Sequence, residues 1–183
     1  MEWFTADYHL SHSNIIKYVK RPFENVSVMD EVILANLELQ VEKDDVLYYL
    51  GDLTFKEKIA RSFFERFDYL KIHYIIGNHD NNKIIKIARN FCISVSNLKD
   101  IKISNRNITL CHYAMRVWNK SHLNSWQFYG HSHGNLDPIG KQYDVGIDSN
   151  DFKPLSFEEI ENILEKAPNN LNYIPIERRN AIK

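Results

Sequence analysis

Two patterns in the sequence predict an α/β layered sandwich. Short apolar runs rich in β-branched and aromatic residues, which are typical of strands, occur at residues 3–6, 46–50, 72–76, 101–103, 108–111, 126–129 and 143–147. Helical patterns separate the early runs, whereas the later runs follow one another closely. Alternating strands and helices favour parallel strands with helical crossovers, and a layered sandwich accommodates both this first half and the strand-rich second half.

Three capping-box patterns, in which Ser or Thr is followed three residues later by an acid, predict where helices begin. The pairs are Ser27 with Asp30, Thr54 with Glu57, and Ser156 with Glu159. Apolar residues after each of the first two pairs recur at the 3.6-residue period, so each of these helices should bury one face.

The composition indicates one ordinary globular domain spanning residues 1–183. Lys and Arg total 23 against 24 for Asp and Glu, so the chain lacks the basic footprint that grips a nucleic-acid backbone. The two cysteines, Cys92 and Cys111, are too few for a disulfide framework or a thiolate metal cluster. Because no apolar run approaches the ~20 residues that cross a bilayer, we expect a cytoplasmic protein without membrane partners.

Side chains that can bind metals follow the predicted strands. Read in order, the strand ends supply Asp7-Tyr8-His9, Gly51-Asp52, Gly77-Asn78-His79-Asp80, His112 and Gly130-His131-Ser132-His133. Open α/β sheets build their sites at such strand ends. One histidine after a strand is usually a satisfied surface or core residue, but five segments together favour a metal site. Carboxylate, imidazole and amide donors suit Mn²⁺, Fe, Zn²⁺, Co²⁺ or Ni²⁺.

These five segments resemble the calcineurin-like metallophosphoesterase superfamily, whose pattern runs D-x-H, G-D, G-N-H-[DE], H and G-H-x-H in that order. The match extends over residues 7–133 and includes every block. Within the superfamily, the chain is most similar to small single-domain phosphoesterases of bacteria and their phages. The resemblance implies a four-layer αββα sandwich of two mixed β-sheets flanked by helices.

The resemblance also implies two divalent metal ions, with Mn²⁺ favoured, that are bridged by Asp52. The ligands implied for the first ion are Asp7, His9 and His133, and those for the second are Asn78, His112 and His131. A hydroxide held between two such ions can attack phosphorus. His79 would protonate or stabilise the leaving oxygen, and Asp80 would orient the His79 imidazole. Alternatively, Asp80 caps the helix that follows it.

Three further residues are candidates for binding the substrate phosphate. His12 lies three residues beyond His9, and Arg21 and Arg116 could each offer a planar guanidinium to phosphate oxygens. The alternatives are an exposed polar residue for His12 and surface salt bridges for the two arginines.

The favoured function is hydrolysis of a phosphodiester of small-molecule or nucleotide size. A phosphomonoesterase or a nuclease would use the same residues, although the near-zero net charge argues against a nucleic-acid partner. Protein phosphatase activity is disfavoured because Gly51-Asp52-Leu53-Thr54 lacks the arginine that follows the G-D block in serine/threonine protein phosphatases. A non-catalytic binding module remains an alternative of a different class, disfavoured because His79 and all the implied ligands are present.

Overall fold

The computed structural model describes residues 1–179. Its strands are β1 (Glu2–Thr5), β2 (Val46–Tyr49), β3 (Lys71–Ile75), β4 (Ser94–Ser96), β5 (Leu98–Ile103), β6 (Arg106–Cys111), β7 (Trp126–Tyr129), β8 (Gln142–Asp144) and β9 (Leu155–Ser156). Its helices are α1 (Ser13–Tyr18), α2 (Val26–Gln40), α3 (Glu57–Arg66), α4 (Asn82–Phe91), α5 (Phe157–Leu164) and α6 (Ile176–Arg179). Two 3₁₀ turns occur at Ser121–Leu123 and Ile147–Ser149.

The strands form two mixed sheets. The first has the order β4-β3-β2-β1-β9, in which β1 to β4 are parallel and β9 is antiparallel to β1. The second has the order β5-β6-β7-β8, in which the β5–β6 pair is antiparallel and the other pairs are parallel. With the helices packed on them, these sheets confirm the predicted α/β sandwich of two mixed β-sheets flanked by helices.

Alternate residues of the first sheet pack into two separate hydrophobic cores, as the period of two along a strand requires. On one face, Leu47 and Tyr49 of β2 join the buried side chains of helices α2, α3 and α4. On the other face, Tyr48 joins Phe128 of β7 and Ile160 of α5. The first sheet is therefore buried on both faces, as the apolar runs of its parallel strands indicated.

Two of the three predicted capping boxes are wrong, because a different side chain caps α2 and α3 begins without a side-chain cap. Asn25 caps α2 by accepting from the Ser27 and Val28 amides, which places Ser27 inside the helix. Thr54 instead donates its hydroxyl to the Leu10 carbonyl oxygen at 2.8 Å, and α3 begins three residues later. The box formed by Ser156 and Glu159 is confirmed at the start of α5.

The strand prediction missed β4 and β9 and extended β8 too far. β4 and β9 are short and carry serines, so neither shows a run of apolar residues. The predicted strand at 143–147 ends at Asp144, because a 3₁₀ turn begins at Ile147. The backbone amide of Ile147 donates to the Ala6 carbonyl oxygen. Within residues 1–179, no helix has the length and apolar character needed to span a membrane.

Candidate metal centre

The predicted ligands converge because parallel strands end at the same edge of a sheet. Asp7 and Asp52 follow β1 and β2, which pair in parallel, and His112 and His131 follow the parallel strands β6 and β7. Backbone hydrogen bonds join neighbouring loops, including Asp7 N–H to the Gly51 carbonyl oxygen at 3.0 Å. A parallel bridge between Ala6 and Gly146 connects the two sheets beside the site.

The structure gathers these side chains into two groups, each of which could hold a metal ion. The first group contains Asp7, His9 and His133, and the second contains Asp52, His112 and His131. Within each group the potential ligand atoms lie within 4.8 Å of one another. The amide oxygen of Asn78 lies 3.0 Å from His112 Nε2, which brings it to the second group. These are the two sets implied by the motif resemblance, and their role as ligands remains a prediction.

Asp52 lies between the two groups. Its Oδ2 atom is 3.6 Å from His9 Nε2 and 3.4 Å from His112 Nε2. Its Oδ1 atom accepts a hydrogen bond of 2.8 Å from the His79 amide. One oxygen is thus used by the backbone, and the other faces a histidine from each group.

Asp7 divides its carboxylate in the same way. Its Oδ2 atom accepts from the His131 amide at 2.8 Å, whereas its Oδ1 atom is buried without a hydrogen-bond partner. Both ring nitrogens of His9 are also buried without a partner. Buried polar atoms are normally satisfied, and a cation bound by this oxygen and one His9 ring nitrogen would satisfy two of these three atoms. The donor set of the first group therefore fits a metal ion.

The backbone at the site is held in a sparsely populated conformation. Five of the six residues in the two groups have left-handed φ angles: Asp7 at 63°, His9 at 50°, Asp52 at 60°, His131 at 67° and His133 at 47°. Non-glycine residues rarely adopt such angles, which cost roughly 1–3 kcal/mol each and cluster at functional sites. The concentration of these conformations at one edge of the sandwich agrees with the site predicted there.

Two glycines allow the loops to approach the carboxylates closely. A Cβ atom at Gly77 would lie 2.2 Å from Asp52 Oδ1, and one at Gly130 would lie 2.6 Å from Asp7 Oδ2. No side chain fits in such spaces, so the glycines permit the amides of His79 and His131 to reach the two carboxylates.

Burial and mutual charge shift the titration of the site. Burial raises the pKa of Asp7 to about 7 and lowers that of His9 to about 3. Burial alone would lower the pKa of His112, but its hydrogen bond to Asp52 and the charges of Asp7 and Asp52 outweigh burial and raise it to about 9. The metal-free site therefore holds protons that an ion would displace.

We expect the pH dependence of stability to change sign when metal binds. Between pH 6.5 and 9, the folded metal-free protein keeps a proton on His112 that the unfolded chain releases near its ordinary pKa of 6.5, so stability falls as pH rises. Asp7, with a folded pKa of about 7 against an ordinary 3.8, acts in the same direction up to about pH 7. With Mn²⁺ in excess, stability should rise over this range because fewer protons compete with the ion.

Calorimetric unfolding with a chelator and with Mn²⁺ measures both slopes. Over this pH range the metal-free melting temperature should fall by roughly 5 °C. The same slope in both conditions would show that the proton-binding groups are not the metal-binding groups.

The structure corrects the substrate-binding role predicted for Arg21. Its guanidinium is buried and makes two hydrogen bonds of 2.8 Å to the Asp148 carboxylate. It also donates to the backbone carbonyl oxygens of Tyr8 at 2.9 Å and Asp7 at 2.6 Å. With its donors satisfied inside the protein, Arg21 fixes the loop that carries Asp7 and cannot at the same time grip a phosphate.

Asp148 links Arg21 to a predicted ligand. Asp148 is not among the residues predicted from the sequence for the site, but its carboxylate also accepts from His133 Nδ1 at 2.7 Å. Because an ionised carboxylate can only accept, the Nδ1–H group of His133 is directed at Asp148, and in the neutral imidazole Nε2 is then the nitrogen available to a metal ion. The sequence could not predict the contact between Arg21 and Asp148, because the two residues are 127 positions apart.

The Asp148→Asn variant should bind metal roughly 10–100-fold more weakly, because the amide no longer fixes the tautomer and orientation of the His133 ring. Calorimetric titration of metal-free protein with Mn²⁺ measures this. Asp151→Asn, at a nearby exposed aspartate, is the matched control and should bind as wild type does. Equal affinities in all three proteins would contradict the positioning role.

Asp80 does not make its predicted hydrogen bond to the His79 imidazole. Its carboxylate accepts from the amides of Gly77 at 2.8 Å and Asp52 at 3.1 Å, and from the Tyr74 hydroxyl at 2.8 Å. The alternative role as a helix cap is also filled differently, because Asn81 caps α4. Asp80 instead joins the loops after β2 and β3 and holds the backbone of Asp52.

The remaining predicted residues differ in their position. His79 and His12 both line a cavity of about 280 Å³ that also borders Asp52 and His133. His79 Nε2 lies 4.0 Å from Asp52 Oδ2, and its side chain is 45% exposed. Arg116 is exposed in the segment after β6, outside that cavity lining, so its contact with substrate remains a prediction.

The fold and the site define an α/β sandwich with two adjoining His/Asp groups suited to metal binding. No family model matches the chain. Over 174 residues it is 30% identical to the uncharacterized protein MJ1445 of Methanocaldococcus jannaschii, an alignment that covers 90% of this chain and 92% of that protein. The chain belongs to the same family as MJ1445.

One solved structure shares the architecture, and two others match less closely. The protein of unknown function AQ665 from Aquifex aeolicus superposes with a TM-score of 0.70 at 24% identity, covering 89% of this chain and 98% of that one, and has the same fold. A Pseudomonas putida nuclease MPE matches at a TM-score of 0.48 and 21% identity over 72% and 61% of the two chains. An archaeal phosphodiesterase matches at 0.46 and 13% over 79% and 81%. Likenesses at these two scores establish neither fold nor activity.

Proposed function

We propose that the protein is a metal-dependent phosphodiesterase with a binuclear centre. The observation that carries the proposal is the position of Asp52, whose Oδ2 atom faces His9 of one His/Asp group and His112 of the other. A carboxylate placed in this way suits a bridge between two ions, which is the arrangement of two-metal phosphoester hydrolases.

The donors favour borderline and hard divalent cations. Neither group contains a cysteine, and the donors are carboxylate oxygens and imidazole nitrogens, with the Asn78 amide oxygen beside the second group. Such a set is compatible with Mn²⁺, Fe, Zn²⁺, Ni²⁺ and Co²⁺, and Mn²⁺ is the first candidate in this proposal because the motif resemblance favours it. When bound, two such ions lower the pKa of water and attract the charge that develops on the phosphoryl oxygens.

His79 is the residue of this chain that we assign to the leaving group. In hydrolysis, a bond forms between a water oxygen and phosphorus, the bond from phosphorus to the leaving oxygen breaks, and that oxygen must acquire a proton. His79 lines the cavity with half of its ring accessible, and its backbone amide is anchored on Asp52. Its imidazole can therefore donate the proton from a position fixed relative to the shared carboxylate.

The charge of the cavity supports a diester over a monoester. Within residues 1–179, the residues that line it include five histidines and one carboxylate but no lysine or arginine. A monoester carries a second negative charge near neutral pH, and its recognition commonly uses arginine or lysine. A diester carries one negative charge, so its binding needs fewer cationic side chains in this lining.

The proposal is tested with metal-stripped protein to which Mn²⁺ is returned. Bis-p-nitrophenyl phosphate should be hydrolysed in a metal-dependent way and faster than p-nitrophenyl phosphate. Preference for the monoester would instead indicate a phosphatase. Failure on both substrates with each of the five candidate metals would contradict a phosphoester hydrolase of this kind.

A further inference from the structure

The cavity beside the candidate metal centre has an apolar wall formed by Ile15, Tyr18 and Val19, from α1 and the residue after it. The other residues that line it are five histidines and Asp52. Phe55 stands next to this wall, with its ring centroid 5.0 Å from that of His12 and 5.0 Å from that of His79. A reaction at phosphorus does not itself require such a surface.

Tyr18 in this wall and Phe55 beside it are both open to solvent. The Tyr18 residue is 70% exposed and Phe55 is 41% exposed. The His12 ring lies between them, 6.2 Å from Tyr18 and 5.0 Å from Phe55. Isolated exposed apolar residues are ordinary, but here the rings of Tyr18, His12 and Phe55 are neighbours, and that of Phe55 also lies 5.0 Å from the ring of His79. Stacking with another planar ring would cover apolar surface that folding leaves in water.

The size and charge of the cavity limit what can lie there. At about 280 Å³ it falls just below the usual range of pockets for drug-sized ligands, so it suits a phosphate with one attached group. Among the residues that the structure describes, no lysine or arginine lines it, although channels that track a polynucleotide backbone are positively charged. Lys56, which follows Phe55 in the sequence, donates a hydrogen bond of 2.7 Å from its ammonium group to Ser11 Oγ.

We propose that Tyr18, Phe55 and His12 bind a planar aromatic ring, such as a nucleobase, that belongs to one of the groups esterified to the phosphate of a small phosphodiester substrate. This inference rests on the proposed phosphodiesterase function and names its substrate class. Tyr18 and Phe55 are then specificity-determining residues, because they contact the organic group while His79 and the metal ligands act on the phosphate.

Equilibrium binding to Mn²⁺-loaded protein tests the ring contact independently of turnover. Adenosine 5′-monophosphate and ribose 5-phosphate carry the same phosphate and sugar and differ in the base. Wild-type protein should bind the nucleotide about tenfold more tightly than the sugar phosphate. Phe55→Ala and Tyr18→Ala should reduce this ratio towards one, whereas Phe55→Tyr and Tyr18→Phe should retain it.

The matched control is Leu39→Ala, at an apolar residue of α2 that is 82% exposed, and it should bind both probes as wild type does. Equal binding of the two probes by wild-type protein would overturn the inference. An oligothymidylate that binds far more tightly than the mononucleotide would overturn the small-substrate assignment. Base-dependent binding without hydrolysis of any diester would leave the ring contact standing and refute the enzyme, so the two proposals can fail separately.

Discussion

The Asp52→Asn variant is expected to lose turnover by roughly a thousandfold or more, as removal of a single preorganised charge-stabilising group does in other enzymes, together with much of its bound metal. The substituted amide can still present an oxygen to the His79 amide, as Asp52 Oδ1 does at 2.8 Å. Its second atom, however, becomes a neutral N–H₂ group that faces the imidazoles of His9 and His112. It cannot bridge two cations, so both His/Asp groups should weaken together.

Asp44→Asn provides the control for this variant. Asp44 also has a left-handed backbone, with φ at 70° against 60° for Asp52, but its side chain is 66% exposed and pairs with Lys71. The same chemical change in the same backbone conformation should leave metal content and turnover unchanged. Full metal content in Asp52→Asn would show that Asp52 is not shared between two ions.

The His79→Ala variant is expected to keep its metal and lose turnover by about 10²- to 10⁴-fold on substrates with a poor leaving group. His79 belongs to neither His/Asp group, and its side chain contacts the site from the cavity side. A diester that releases nitrophenolate needs little protonation, so its hydrolysis should fall much less than that of a diester that releases an alkoxide.

Metal analysis and steady-state rates on the two kinds of diester separate these effects. His122→Ala, at an exposed histidine in the first 3₁₀ turn, is the control and should behave as wild type. Equal losses on both leaving groups would contradict proton donation by His79. Loss of metal in His79→Ala would make His79 a ligand instead.

The sequence predicted those parts of the molecule that depend on local pattern. An apolar strand followed within two or three residues by Asp7, Asp52 or His131 indicates both the element and the edge of the sheet at which the side chain lies. Five such segments predicted that these side chains meet at one edge, and the division into two groups was implied by the resemblance to the metallophosphoesterase superfamily. The short strand β9, formed by Leu155 and Ser156, carries no such pattern and was missed.

The contacts that support the site could not be predicted because they join distant parts of the chain. Arg21 looks like a surface residue before Pro22, and only the fold places its guanidinium on Asp148 and on the carbonyl oxygens behind Asp7. Asp80 is adjacent to His79 in sequence, yet its side chain points to the Gly77 and Asp52 amides. The position of Asp80 next to His79 in the sequence therefore did not show which groups its carboxylate orients.

The exposed positions of Tyr18 and Phe55 also could not be predicted from the sequence. Both are large apolar residues of the kind that usually fills a core, and the fold leaves them 70% and 41% exposed beside the histidines. Burial is a property of the folded chain, so a list of aromatic residues cannot separate core from binding surface.

The central claim, that two ions share Asp52, is tested most directly by titrating metal-free protein with Mn²⁺ under electron paramagnetic resonance. Two ions a few ångströms apart and joined by one carboxylate should give an exchange-coupled signal once two equivalents per chain are bound. A single equivalent, or two ions with the uncoupled signal of isolated Mn²⁺, would contradict the binuclear centre.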